Sequence, residues 1–107
     1  DNEESNRYRS VFKVIMDKKE IELKLQSLDG WIWEENKLRK KFHFSCFREA
    51  MSFLLRLSYE AEYQNHHPEI FNCFDRVILS LSTHDAGNKV TNKDFDLAKA
   101  IDGLDKK

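Results

Sequence analysis

Three of the chain's four histidines fall in two short polar islands, Glu62-Tyr63-Gln64-Asn65-His66-His67-Pro68-Glu69 and Ser82-Thr83-His84-Asp85. Histidine is the side chain whose ordinary titration lies nearest neutrality, so this grouping suits proton transfer, metal binding or pH sensing. Glu62 and His66 are four residues apart and share a face if a helix reaches position 66. A carboxylate beside an imidazole favours the imidazolium, and the negative end of a helix dipole acts in the same direction, which suits a general acid. A glutamate with three imidazoles also resembles a zinc ligand set, although no H-E-x-x-H pattern is present. Helix-cap or surface histidines are the third reading. His84 joins the other two only if the fold brings the islands together.

The elements that must do so are legible in the periodicity. Asp17 can cap a first helix through Ile21 and Leu25, ended by Leu28-Asp29-Gly30. Trp31-Ile32-Trp33 reads as a short strand, Glu35-Asn36 as a turn, and Leu38 to Phe44 as a second strand. The tryptophans read as core or interface, His43 as a solvent-side strand residue, and Lys37, Arg39, Lys40 and Lys41 as a solvated face or edge protection. From a Ser45 N-cap, Phe47, Ala50, Met51, Leu54, Leu57, Ser58 and Ala61 form the stripe of a second helix. Phe53, Leu55 and Tyr59 lie off that stripe and suggest a subunit contact. Pro68 disfavours helical backbone at the residue before it, which places His66 and His67 at the helix C-terminus.

Cys73, Val77, Leu79, Leu81 and Thr83 then alternate with Phe74, Arg76, Ile78, Ser80, Ser82 and His84, the period of one strand with His84 at its exit. A Thr91-x-x-Asp94 pattern, with Asp94 as a cap, opens a last helix through Phe95, Ala98, Ile101 and Leu104. Residues 1–6 are polar and expected to fray, and Tyr8 to Met16 stays open between a short strand and a helix start.

A chain of 107 residues with 40% hydrophobic and 12% aromatic content fits one domain, 1–107, with one modest core. The net charge of -1 offers no overall field to hold a polyanion, which disfavours direct nucleic-acid binding. Cys46 and Cys73 form no C-x-x-C pair, so free thiols are expected rather than a disulfide framework or zinc knuckle. No apolar run approaches the roughly 20 residues of a membrane span, and the polar N-terminus lacks the regions of a signal peptide. A soluble intracellular protein without membrane partners is the expectation. The chain begins without Met, so a removed targeting segment stays open.

Gly30-Trp31, Phe42-His43-Phe44, Phe47-x-x-Ala50, Ala61-Glu62, Asn65-His66-His67-Pro68-Glu69, Phe71-Asn72, Val77, Leu81-Ser82-Thr83-His84 and Thr91-x-x-Asp94-x-x-Leu97-Ala98 carry a resemblance. In this order they resemble the pterin-4a-carbinolamine dehydratases, also known as dimerisation cofactors of a hepatocyte nuclear factor. The resemblance implies an α+β fold, an antiparallel four-stranded sheet with three helices packed on one face. Tyr8 to Met16 is then the natural candidate for the fourth strand.

It further implies dehydration of 4a-hydroxytetrahydrobiopterin to quinonoid dihydropterin plus water, recycling the pterin of aromatic amino acid hydroxylases. No metal or organic cofactor, a homodimer or homotetramer, and a cytoplasmic location with a nuclear alternative come with it. Carried over by position, His66 is the general acid, His67 and His84 bind the pterin and complete proton transfer, and Glu62 orients them. Asn65, Pro68, Ser82, Thr83 and Asp85 line the substrate site. Which imidazole gives the proton and which takes it stays open. Ile70 departs from the usual Trp, Asn65 from an Asp variant, and Gly87-Asn88-Lys89-Val90 from the usual shorter loop. The contrasting reading is a non-enzymatic transcriptional coactivator that docks a partner protein on the second helix.

Overall fold

The computed structural model describes residues 16–105. Asp17 caps the first helix, α1 (Lys18–Leu25): its carboxylate accepts from Glu20 N at 2.9 Å, and Glu20 Oε1 accepts from Asp17 N at 3.3 Å. This reciprocal pair satisfies donors that a helix start otherwise leaves open. A turn through Gly30, at φ +85, leads into β1 (Ile32–Glu34) and β2 (Lys37–His43), joined by Glu35 and Asn36 at φ 52 and 61. Two successive positive φ values match the twist of a tight hairpin. The long helix α2 (Phe47–Gln64) follows, then β3 (Glu69–Cys73), β4 (Arg76–Leu81), a short 3-10 turn at His84–Ala86, and α3 (Asn92–Asp105). The sheet order is β1-β2-β4-β3, antiparallel throughout, and with the three helices it makes the expected α+β fold.

The fourth strand is β3; of the stretch proposed for it from the sequence, Tyr8 to Met16, all but Met16 lies outside the described residues, and Met16 is buried in the core outside any strand. The alternation that reads as one strand from Cys73 to Thr83 is divided by a two-residue loop, Phe74-Asp75, with Cys73 opposite Arg76. Across such a loop the faces reset, so Cys73 shares a face with Arg76 rather than with Val77. No glycine marks the turn. Phe74 itself takes φ 55, and the Asn72 amide braces the loop by donating to the Phe74 and Arg76 carbonyls at 3.3 and 2.9 Å.

One face of the sheet, with Leu38, Phe42, Val77, Leu79 and Leu81, closes a core against Ala50, Phe53 and Leu57 of α2 and Phe95, Leu97, Ala98 and Ile101 of α3. Phe53 thus belongs to the core and not to a second exposed face; its ring lies 5.0 Å from those of Phe42 and Phe44. Burying such a ring contributes roughly 1.5–3 kcal/mol. Leu55 and Tyr59 are exposed as expected, and Phe47 and Tyr63 extend their line at four-residue spacing. Cys46, rather than Ser45, stands at the N-cap of α2 and makes no side-chain cap bond.

Lys40 also departs from the solvated-face reading. It points toward the helices, donating to Asp29 O at 2.7 Å and Asp102 Oδ1 at 2.9 Å, with its Nζ 5.1 Å from the Phe42 ring centroid. Trp31 Nε1 donates to both oxygens of the same Asp102 at 3.1 Å. Its neighbours on β2 do face outward. Arg39 binds Glu34 and Glu35 at 2.6 and 3.2 Å, and the bond to Glu34, above all, raises the guanidinium pKa.

Candidate active site

Helix α2 ends before it reaches the histidines. Asn65 takes the left-handed conformation at φ 51, its N–H donates to Glu62 O at 3.1 Å, and His66 N–H donates to Ala61 O at 3.0 Å. These two bonds close the helix in the manner of a Schellman motif, with Asn in the position glycine usually fills. The stop precedes Pro68 and turns the chain so that His66 and His67 part company. His66 is buried, with 8% of its surface exposed, while His67 points outward.

Their carboxylate partners differ from the expected arrangement. Glu62 pairs with His67, not His66, at 2.6 Å between Oε2 and Nε2. Both side chains are more than half exposed, so water screens the pair strongly. The partner of His66 is Asp94, whose Oδ1 lies 2.5 Å from His66 Nε2 and which has no solvent-accessible surface. Its other oxygen, Oδ2, accepts from Thr83 Oγ1 and from Thr91 N, both at 2.9 Å. The Thr83 and Thr91 hydroxyls lie 2.5 Å apart. Asp94 does act as the cap read from the sequence, since the Thr91 bond belongs to the start of α3, but capping uses only one of its oxygens.

Asp94 therefore joins the two polar islands, with His66 on one oxygen and Thr83 on the other. His84, the residue after Thr83, opens the 3-10 turn and is exposed; its Nδ1 lies 3.3 Å from Asn88 Oδ1. The loop below it is pinned by Thr83 N to Lys89 O at 2.8 Å and Asn88 N to Thr83 O at 3.0 Å. Ser82 and Pro68 are half-buried and Asp85 and Asn65 exposed. Thr83, by contrast, has its hydroxyl buried and committed to Asp94 and Thr91. His43 stands apart, at the far end of β2, exposed and paired with Asp75 at 2.9 Å. Among the described residues, no three His, Cys, Asp or Glu side chains converge as a metal ligand set.

With an ionised Asp94 accepting from Nε2–H, the ring nitrogen of His66 available to a bound molecule is Nδ1. That nitrogen presents a lone pair when the ring is neutral and an N–H when it is charged, so one imidazole can take or give a proton without moving. The buried carboxylate fixes the tautomer and orientation of the ring, the role an aspartate plays behind a catalytic histidine elsewhere.

An α+β fold carrying a histidine–carboxylate pair at a helix end, linked to a second histidine loop, defines the class. A model of the family described as Pterin 4 alpha carbinolamine dehydratase matches residues 15–104. The chain is 50% identical over 90 residues to a protein of Opitutus terrae named "Putative pterin-4-alpha-carbinolamine dehydratase", covering 84% of this chain and 93% of that protein. A protein of the same name from Sulfolobus acidocaldarius is 42% identical, with 83% and 97% covered. A crystal structure of a transcriptional coactivator/pterin dehydratase from Brucella melitensis superposes with a TM-score of 0.80 at 32% identity, covering 84% of this chain and 97% of that one. A pterin dehydratase-like RuBisCO assembly factor of the alpha-carboxysome, at 23% identity, 69% and 84% coverage and a TM-score of 0.57, shares the fold. The chain belongs to the pterin 4 alpha carbinolamine dehydratase family.

Proposed function

We propose that this chain dehydrates a 4a-hydroxytetrahydropterin, recycling the pterin used by aromatic amino acid hydroxylases. The observation that carries the reading is the buried Asp94, which holds His66 Nε2 and ties it to the loop bearing His84. In the reaction the C4a–O bond breaks, the leaving hydroxyl takes a proton and departs as water, and N5 gives up its proton. One group must donate and one accept, and imidazoles are suited to both near neutral pH. His66, backed by Asp94, delivers the proton to the hydroxyl. His67, held by Glu62, and His84 flank the substrate, and one of the two accepts the N5 proton. Asn65, Ser82 and Asp85 offer hydrogen bonds to the heterocycle, Pro68 forms part of the wall, and Thr83 acts through Asp94. No metal or organic cofactor enters the step.

The family relationship supports the substrate class, and the Brucella relative supports a coactivator role as a second reading. The exposed line of Phe47, Leu55, Tyr59 and Tyr63 on α2 favours that second reading. Purified protein should accelerate loss of the carbinolamine absorbance, and His66→Ala should remove roughly 100-fold or more of that rate. Wild-type protein no faster than buffer would sink the enzymatic reading. Tyr59→Glu should leave the rate intact and abolish binding of an amphipathic helical peptide, which His66→Ala should retain.

A further inference from the structure

Of the four histidines, all among the described residues, His43, His66 and His67 meet their carboxylate partners through Nε2. His84 is held differently. Its partner is a neutral amide, and the contact is made through the other nitrogen, Nδ1, which lies 3.3 Å from Asn88 Oδ1. Its Nε2, the ring atom farthest from the backbone, is left without a partner among the described residues.

The loop is built to keep Asn88 at that place. Ala86 and Val90 are buried and fasten its two ends to the body of the domain, while Thr83 N–H donates to Lys89 O at 2.8 Å and Asn88 N–H returns to Thr83 O at 3.0 Å. Between these anchors Gly87 and Asn88 take successive positive φ values, 75 and 60. Asparagine is one of the few side-chain-bearing residues that enters this conformation readily. The turn brings residue 88 back against His84, four positions earlier. Asn88 also belongs to the stretch that departs from the family's usual, shorter loop, so the contact is a feature of this chain's own sequence.

A carbonyl oxygen only accepts, so Oδ1 facing Nδ1 requires a proton on that nitrogen. The neutral and the charged ring then both carry Nδ1–H, and only Nε2 changes, from a lone pair to an N–H. A proton can be taken up there without exchange of tautomers and without turning the ring. We infer that Asn88 is a positioning residue, which holds His84 in the Nδ1–H tautomer and keeps its outer nitrogen, Nε2, free to exchange a proton with the substrate. The role toward substrate rests on the pterin reading given above; the pairing of Asn88 with His84 does not.

Nitrogen NMR of the imidazole rings in isotopically labelled full chain, together with carbinolamine turnover, tests this. Asn88→Gly removes the amide yet accepts φ near 60 without cost, and Asn88→Asp keeps an oxygen acceptor on the same backbone. In wild-type protein the neutral His84 ring should carry its proton on Nδ1. In Asn88→Gly the proton should spread over both nitrogens, and Asn88→Asp should return it to Nδ1. The kcat of Asn88→Gly should fall roughly two- to tenfold, the worth of one neutral hydrogen bond, and Asn88→Asp should recover most of it. Thermal melts of the three proteins should coincide.

A wild-type ring with its neutral-form proton on Nε2, or one whose tautomer is the same in Asn88→Gly, overturns the pairing. A tautomer that shifts while kcat holds overturns the positioning role. The same follows if Asn88→Gly melts lower and Asn88→Asp restores the melt but not the rate, since Asn88 is then a loop brace only. Wild-type protein that turns over no carbinolamine, with tautomers that respond as expected, refutes the pterin reading and the role toward substrate, and upholds the pairing.

Discussion

Replacing Asp94 separates its two tasks. Asp94→Asn keeps the shape of the side chain and leaves one oxygen to accept from Thr83 Oγ1 and Thr91 N, the two donors now 2.9 Å from Oδ2. The amide nitrogen then faces His66 Nε2 and, being a donor, forces that nitrogen to accept. The proton moves to Nδ1 in the neutral ring, and the imidazolium loses its buried counter-charge. The fold should lose about 1.5–3 kcal/mol, the worth of a hydrogen bond to a charged group. Turnover should fall by roughly 100- to 10,000-fold, as for other misdirected catalytic histidines.

Asp94→Ala strips the buried Thr91 N–H and the imidazole of their acceptor. Breaking a buried pair of this kind costs about 3–5 kcal/mol. The melting temperature of a domain this size should then drop by more than about 12 °C. Thermal melts and carbinolamine turnover on both variants give the comparison. An Asp94→Asn protein whose kcat stays within threefold of wild type would refute the assignment of Asp94 as the residue that positions His66.

Two further perturbations test features of the frame. Lys40→Met keeps the apolar stem but removes the ammonium held by Asp29 O and Asp102, and should cost about 1–2 kcal/mol in chemical denaturation. The adjacent, exposed Lys41→Met should change stability by less than about 0.5 kcal/mol. Asn65→Gly should match wild type in both stability and helix content, whereas Asn65→Ala, forced to keep φ near 51, should lose about 1 kcal/mol in a thermal melt.

Where local chemistry decides the structure, the sequence was readable. The Asp17 cap, the Glu35-Asn36 turn, the body of α2 and the start of α3 at Thr91-x-x-Asp94 all appear as their residue types require. The failures share a different cause. Phe74 turns the chain in a conformation its own propensity disfavours, and the bracing amide of Asn72 leaves no mark in the alternation pattern. Lys40 points inward because Asp102, 62 residues away, is there to receive it. The same applies at the site: four-residue spacing nominated Glu62 for His66, but the helix stops at Gln64, and the actual partner lies 28 residues on. A capping carboxylate carries a second oxygen, and nothing local says what it faces.

That separation has a consequence for how the molecule comes into being. Synthesis runs from the N-terminus, so a nascent chain carries His66 before Asp94 has been made. Until α3 forms and docks, His66 lacks both its counter-charge and its link to the His84 loop. Maturation of that imidazole is thereby tied to completion of the last helix, and a chain cut short ahead of Asn92 displays all three histidines yet leaves His66 without its carboxylate.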